Sequence, residues 1–192
     1  MKNGKFVLGL LIAAIMVSGC ARTRTSAANA APVERKLIVY YSLTGNAEFV
    51  TEQIQSLTGA DVFKIELVEP YSTEFEVTLD RASRERETGS LPELAGRIDN
   101  LADYDIIFFG SPNWFGTLSL PALSFLESHD LSGKTIVPFI AFGGGGIQNT
   151  ITDLKARVPN ATVLEEFGVS RDDVRASEAE IAQWLDRMGM LK

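Results

Sequence analysis

The chain is predicted to fold as an α/β domain, a three-layer doubly wound structure on a five-stranded parallel sheet, and three observations predict it. Short apolar runs recur without polar alternation, the pattern of strands buried on both faces. Between them lie stretches whose apolar residues return at helical spacing. The composition of the 192 residues, 45% apolar and 22% charged with only 7 prolines, is globular and excludes a disordered or collagen-like chain. That length suits one core rather than two.

The elements follow in order. Leu37-Ile38-Val39-Tyr40-Tyr41 predicts the first strand, and Val50, Ile54 and Leu57 share one face of the helix after it. Val62-Phe63 with Ile65 and Leu67 predicts the second strand. The charged stretch from Arg81 to Glu87 alternates in sign and, with Phe75, Leu79 and Ala82 on one face, reads as a solvated helix. Ser90-Leu91-Pro92-Glu93 has capping-box spacing, a hydroxyl and a carboxylate three apart that can satisfy two amides at a helix start. Ile106-Ile107-Phe108-Phe109 is the third strand and Ile136 to Phe142 the fourth. Ile147, Ile151, Leu154 and Val158 line a helix opening near Ile147, and Val163-Leu164 leading to Phe167 makes the fifth strand. A second capping box, Ser177-Glu178-Ala179-Glu180, opens a closing helix that buries Ile181, Trp184, Leu185 and Met188. Strand followed by helix, repeated, gives a parallel sheet covered on both faces, with right-handed crossovers.

Charge and rare residues narrow the function. With 25 acidic against 18 basic residues, the chain lacks the basic footprint of nucleic-acid binding, so no nucleic-acid partner is expected. One cysteine and one histidine cannot build a disulfide framework or a four-ligand zinc site, and no metal is expected. The one histidine, His129, lies in a polar turn on the amino-terminal side of the fourth strand, the wrong edge for a catalytic base, and reads as a surface residue. Gly133-Lys134-Thr135 imitates the end of a nucleotide-hydrolase loop but leads into a strand, and Ser128 stands where its first glycine should be. The first and third strands end in Tyr41-Ser42 and Gly110-Ser111, without the acidic residues a phosphotransfer receiver needs.

At the amino terminus, Lys2 and Lys5 precede an apolar run from Phe6 to Val17 that is too short to span a bilayer, which predicts an export signal over 1–19. The run ends in Val17-Ser18-Gly19-Cys20, which resembles the lipobox of bacterial lipoproteins. That resemblance implies cleavage before Cys20, a lipid on its thiol, and a protein anchored to a membrane of the bacterial cell envelope, facing outside the cytoplasm. Residues 20–34 then read as a lipid-anchored solvated tether and 35–192 as the domain.

In open parallel sheets ligands bind beyond the carboxyl ends of the strands, so three loops are candidates. Ser42-Leu43-Thr44-Gly45-Asn46-Ala47 places hydroxyls, an amide and a glycine at a helix amino terminus, which suits either a phosphate or a plain N-cap turn. Gly110-Ser111-Pro112-Asn113-Trp114-Phe115-Gly116-Thr117 sets two aromatic residues in a rigid loop, either as a flat apolar face or as a plug at the sheet edge. Phe142-Gly143-Gly144-Gly145-Gly146 offers either a tight bend or close backbone approach to a ligand.

Together these motifs resemble the flavodoxin-like superfamily over roughly Arg35 to Leu191, in particular a subfamily related to FMN-dependent quinone reductases. The first loop is similar to the hydroxyl-x-Thr-Gly-Asn-Thr loop that holds the FMN phosphate, with Ala47 in place of the last hydroxyl. The second is similar to Gly-x-Pro-x-Trp-Trp-Gly along the isoalloxazine edge, with Phe115 for the second tryptophan. The third is similar to a glycine-rich loop often preceded by His, where this chain has Phe142.

The resemblance implies strand order 2-1-3-4-5 and FMN as cofactor. It implies a phosphate held by Ser42, Leu43, Thr44, Gly45, Asn46 and Ala47, and a ring against Pro112, Asn113, Trp114, Phe115, Gly116, Gly143, Gly144 and Gly145. The expected function is electron transfer or oxidoreduction, with a redox partner protein or a quinone-type small molecule as partner and no catalytic acid or base. Quinone reduction from NAD(P)H or a protein donor, or a binding module that has lost FMN, are the alternatives. Loss of Lys2 and Lys5 with the signal would move the net side-chain charge from −7 to −9, which would disfavour an anionic reduced flavin and bias its potential downward.

Overall fold

The computed structural model describes residue 1 and residues 34–192. The expected export signal, Cys20 and nearly all of the tether lie outside the described residues. The elements are β1 (Lys36–Tyr40), α1 (Asn46–Thr58), β2 (Asp61–Lys64), α2 (Phe75–Thr88), β3 (Ile106–Trp114), β4 (Thr117–Leu118), α3 (Leu120–Ser128), β5 (Thr135–Phe142), α4 (Thr150–Arg157), β6 (Thr162–Val163), β7 (Phe167–Ser170) and α5 (Glu178–Arg187). One-turn 3₁₀ segments at Leu101–Asp103 and Val174–Ala176 complete them.

The period-2 alternation of the strands divides their side chains between two cores. Ile38 and Tyr40, Ile106 and Phe108, and Val137 and Phe139 face α1 and α5, where Val50, Ile54, Ile181, Trp184 and Leu185 are buried. Leu37, Val39 and Tyr41, Ile107 and Phe109, and Ile136 and Ile140 face the opposite layer with Leu123, Phe125 and Leu154. The fold is thus the expected α/β sandwich with a parallel central sheet. Helix α3 is buried from Leu120 through Leu126, so it carries no amphipathic period and is silent to a search for one.

The sheet differs from the expected five strands. Its order is β2-β1-β3-β5-β6, with β4 pairing antiparallel to β3 and β7 pairing to β5. The last strand is broken in two: Ile136 pairs with Val163 and Phe139 with Phe167, so one extra residue lies on the edge side. Ile136 accepts the Leu164 N–H, and two residues further Pro138 faces the same neighbour with no N–H to give. The Glu165 carbonyl accepts the Trp184 indole N–H at 3.1 Å instead of joining the ladder.

Other expectations also need correction. β2 is an edge strand with Val62 exposed, not a doubly buried one. No helix begins at Ser90: α2 ends at Thr88, Ser90 N–H returns to the Glu85 carbonyl, and its hydroxyl meets Thr88. Ser177 does precede α5, yet its hydroxyl donates to the Val174 carbonyl because the 3₁₀ turn abuts the helix. α4 opens at Thr150, and Ile147 belongs to the turn before it. On α2 the buried residues are Thr78 and Ala82, while Phe75 is 73% exposed. His129 is half-buried and stacked on Phe125 at 4.0 Å, rather than a free surface residue.

Candidate functional site

The carboxyl end of β1 is pinned before the first loop starts. The Tyr41 N–H donates to the Gly110 carbonyl at 3.0 Å and the Ile65 N–H to the Tyr40 carbonyl at 2.8 Å. A Cβ on Gly110 would clash with the edge of the Phe139 ring and lie 2.8 Å from Tyr40 Cβ, so only glycine lets β1, β3 and β5 close up here.

The chain then turns through Ser42–Thr44, and Gly45 caps α1 in the left-handed region at φ 81°, a conformation costly for any residue with a Cβ. α1 begins its internal bonding only with the Phe49 N–H to the Gly45 carbonyl. Among the described residues, the amides of Asn46, Ala47 and Glu48, the hydroxyls of Ser42 and Thr44, and the side chain of Asn46 find no protein acceptor. Unpaired donors at the positive end of a helix form a site for an anion. The one acid in the first turn, Glu48, accepts from Lys64 at 2.8 Å and from Tyr40 at 3.1 Å. The Lys64 bond holds its carboxyl below the usual range.

This loop forms one end of a cavity of about 390 Å³. Ser42, Leu43, Thr44, Asn46 and Ala47 line it with Pro112, Asn113, Trp114, Phe115 and Gly143, so parts of all three expected loops meet around one space. Gly45, Gly116, Gly144 and Gly145 do not line it. Gly116 and Gly145 back onto the Gln148 side chain, and Gly144 is exposed at the bend, so the glycine run serves mainly the bend. The second loop is shorter than expected: β3 continues through Pro112 and Asn113 to Trp114, and only Phe115 and Gly116 form the turn into β4.

The aromatic end is assembled over long sequence distances. Trp114 is braced edge-on by Tyr71 at 5.0 Å and Tyr41 at 5.9 Å. Burial pushes the Tyr41 hydroxyl up to about 12, and burial with the Glu85 hydrogen bond pushes Tyr71 higher still, so both rings stay neutral behind the tryptophan. Tyr71 donates to Glu85, which Arg81 also holds at 2.8 Å while lying 4.2 Å above the Tyr71 ring.

The Asn113 amide donates to the carbonyls of Gly146 at 2.6 Å and Ile147 at 3.1 Å, tying the strand end to the glycine loop. The Asn149 N–H returns to Gly116 at 3.0 Å, and Thr117 donates to Asp153 at 2.5 Å. At this junction Phe115 and Gln148 take φ of 53° and 51°, a strained backbone for residues with side chains. A larger cavity of about 630 Å³ lies on the outer side of the same Trp114–Phe115 turn, with Leu118, Leu120 and Leu123 in its wall.

Several lining residues escape sequence reasoning. Phe75, Leu79, Ala82 and Thr78 reach the cavity from α2, and Ala141, Phe142 and Arg171 from the ends of β5 and β7. The i, i+4 spacing of Phe75 and Leu79 signals a shared face, but a core face and a ligand face look alike in sequence. A cation also lies near the loop: Arg175 stacks 4.8 Å over Phe49, beside Gly45.

The flavodoxin family profile matches residues 35–188. A protein of Bacteroides eggerthii assigned as a flavoprotein is 30% identical, with a TM-score of 0.69 over 81% of this chain and 98% of its own. A second, from Bacteroides uniformis, is 25% identical with a TM-score of 0.71 over 80% of this chain and 98% of its own. A Lactobacillus acidophilus flavoprotein solved in complex with FMN shares the fold, with a TM-score of 0.60 over 76% of this chain and 97% of its own, at 23% identity. Among curated proteins, an NAD(P)H dehydrogenase (quinone) of Syntrophobacter fumaroxidans is 26% identical over 132 residues, which is 67% of this chain and 62% of that relative's length.

Proposed function

The chain belongs to the flavodoxin family, and from that membership we propose that it binds FMN in the cavity between the Ser42–Ala47 loop and the Trp114–Phe115 turn and works in electron transfer or oxidoreduction. One observation carries the reading: a single cavity joins unpaired amides and hydroxyls at a helix amino terminus to an aromatic wall. A phosphate monoester suits the first end and a flat heteroaromatic ring the second.

Bound FMN would supply the redox chemistry, as acceptor and donor of one or two electrons. The chain's own residues bind and orient it. Ser42, Thr44 and Asn46 with the amides of α1 take the phosphate. Leu43, Pro112, Trp114 and Phe115 exclude water from the ring, and Tyr41 and Tyr71, neutral themselves, brace Trp114 edge-on. No side chain in this set is placed to act as an acid or base, and electron transfer requires none.

The partner is a redox protein or a quinone-type molecule. The second of these gains support from the quinone dehydrogenase relative. The export signal over 1–19 and the lipobox-like Val17-Ser18-Gly19-Cys20 support attachment through a lipid on Cys20, with the domain outside the cytoplasm.

The test is the visible spectrum of the purified protein, before and after adding FMN. Tight uptake of FMN, weakened at least tenfold by Thr44→Ala combined with Asn46→Ala, is the expected result. A colourless protein that takes up no FMN overturns the proposal. Bleaching by NADH or NADPH and reoxidation by a quinone would assign the reductase branch, and Cys20→Ser should release the protein from membranes.

A further inference from the structure

We propose that Arg175 is a specificity-determining residue of this site, a guanidinium that engages the phosphate of the flavin nucleotide at the Gly45 loop and so makes the protein select FMN over unphosphorylated riboflavin. The proposal rests on the reading of that cavity as a flavin site. Nothing in the loop sequence announces it, since Arg175 comes from the far end of the chain.

Its position is fixed by its neighbours. Val174 is 1% exposed and anchors the 3₁₀ turn against α1. The Ser177 hydroxyl donates to the Val174 carbonyl at 2.8 Å. On the other side the Ser170 hydroxyl donates to Asp173 at 2.6 Å and accepts the Asp173 N–H at 3.1 Å. The guanidinium is thereby carried over the Phe49 ring in the first turn of α1. Its Nη2 lies 3.7 Å from where a Cβ on Gly45 would stand.

The electrostatics of that place point to an anion. The amino terminus of α1 is the positive end of the helix and bears three unpaired amides, so an arginine there has the unfavourable sign. Among the described residues the nearby acids are engaged elsewhere: Glu48 with Lys64 and Tyr40, Asp172 with Arg171, and Asp173 with Ser170. No described carboxylate comes within salt-bridge distance of Arg175; the same holds for Arg84, Arg86 and Arg97, but of these four only Arg175 lies beside Gly45. A phosphate between the guanidinium and the amides turns this repulsion into attraction and offers the planar fork two oxygens. The neutral ribityl end of riboflavin cannot.

The experiment titrates FMN, riboflavin and inorganic phosphate against the full chain and its R175Q and R175K variants, using flavin fluorescence for the first two and melting temperature at constant ionic strength for the third. The expected result is that R175Q weakens FMN on the order of tenfold, leaves riboflavin unchanged and abolishes the stabilisation by phosphate, with R175K intermediate. Equal weakening of both flavins would make Arg175 a packing residue on Phe49, and an unchanged FMN affinity would remove it from the site; either overturns the proposal. If neither flavin binds the parent chain, the flavin reading fails. The anion site then stands only if phosphate still stabilises the parent and not R175Q, and otherwise falls with it.

Discussion

At the loop after β1 every group facing the cavity comes from six consecutive residues, whereas the Trp114 end is assembled from segments that meet only in the folded chain. The first needs one permissive backbone position, Gly45, and the free amides that any helix start supplies. The second needs Asn113 reaching two carbonyls of the glycine loop, Asn149 returning to Gly116, and two side-chain-bearing residues at positive φ. Local chemistry builds an anion site cheaply, while a flat wall for a ring has to be cross-braced.

The contrast can be broken outright at the one residue both ends share. Gly110→Ala drives a methyl into Phe139 and Tyr40 at the base of both loops, and urea denaturation should show a loss of about 3 kcal/mol. Gly45→Ala acts on the local end alone: Arg175 at 3.7 Å leaves room for the methyl, so the cost is backbone strain of about 1–2 kcal/mol, with FMN affinity falling in step.

Asn113→Ala acts on the braced end. Loss of its two hydrogen bonds should cost about 1–2 kcal/mol, and hydrogen exchange should speed up over 143–149 but not over the first turns of α1. Phe115 sharpens the comparison further. Because its φ is 53°, Phe115→Gly should be more stable than Phe115→Ala by about 1 kcal/mol, the reverse of the usual order.

The smallest effect belongs to the opposite edge of the sheet, which neither end uses. Burial, and then Arg97, hold the His129 imidazole below its ordinary pKa, and its Nε2 accepts the Ile98 N–H. At about pH 7.5 both folded and unfolded states are neutral; as pH falls through about 6.5 the unfolded chain binds a proton that the folded one resists, so stability drops. His129→Gln should remove that part of the decline between about pH 7.5 and 5.5, as measured by denaturation at both pH values.

What the sequence reveals follows the same division. The strands β1, β3 and β5, the amphipathic helices and the first loop are legible because their signals are local: solid apolar runs, one helical face, hydroxyls before a helix. The hairpin β4, the Asn113 brace and Arg175 depend on contacts between distant segments and leave no periodic mark. Ser90-Leu91-Pro92-Glu93 shows how spacing misleads, since the same hydroxyl can close the preceding helix as readily as open a new one. Pro138 is the opposite case. A proline inside an apolar run does foretell the interrupted edge, because it leaves β6 and β7 without a donor to share.

The span of the cavity along the chain sets when it can exist. Its lining begins at Ser42 and ends at Arg171, so a ribosome has made nearly the whole domain before the last wall can dock. At translation rates of about 5–20 residues per second, the first loop waits roughly 6–25 seconds for Arg171 to be made. Binding competence is thus a late product of synthesis, and a ligand captured there reports that the sheet has closed from its first strand to its last.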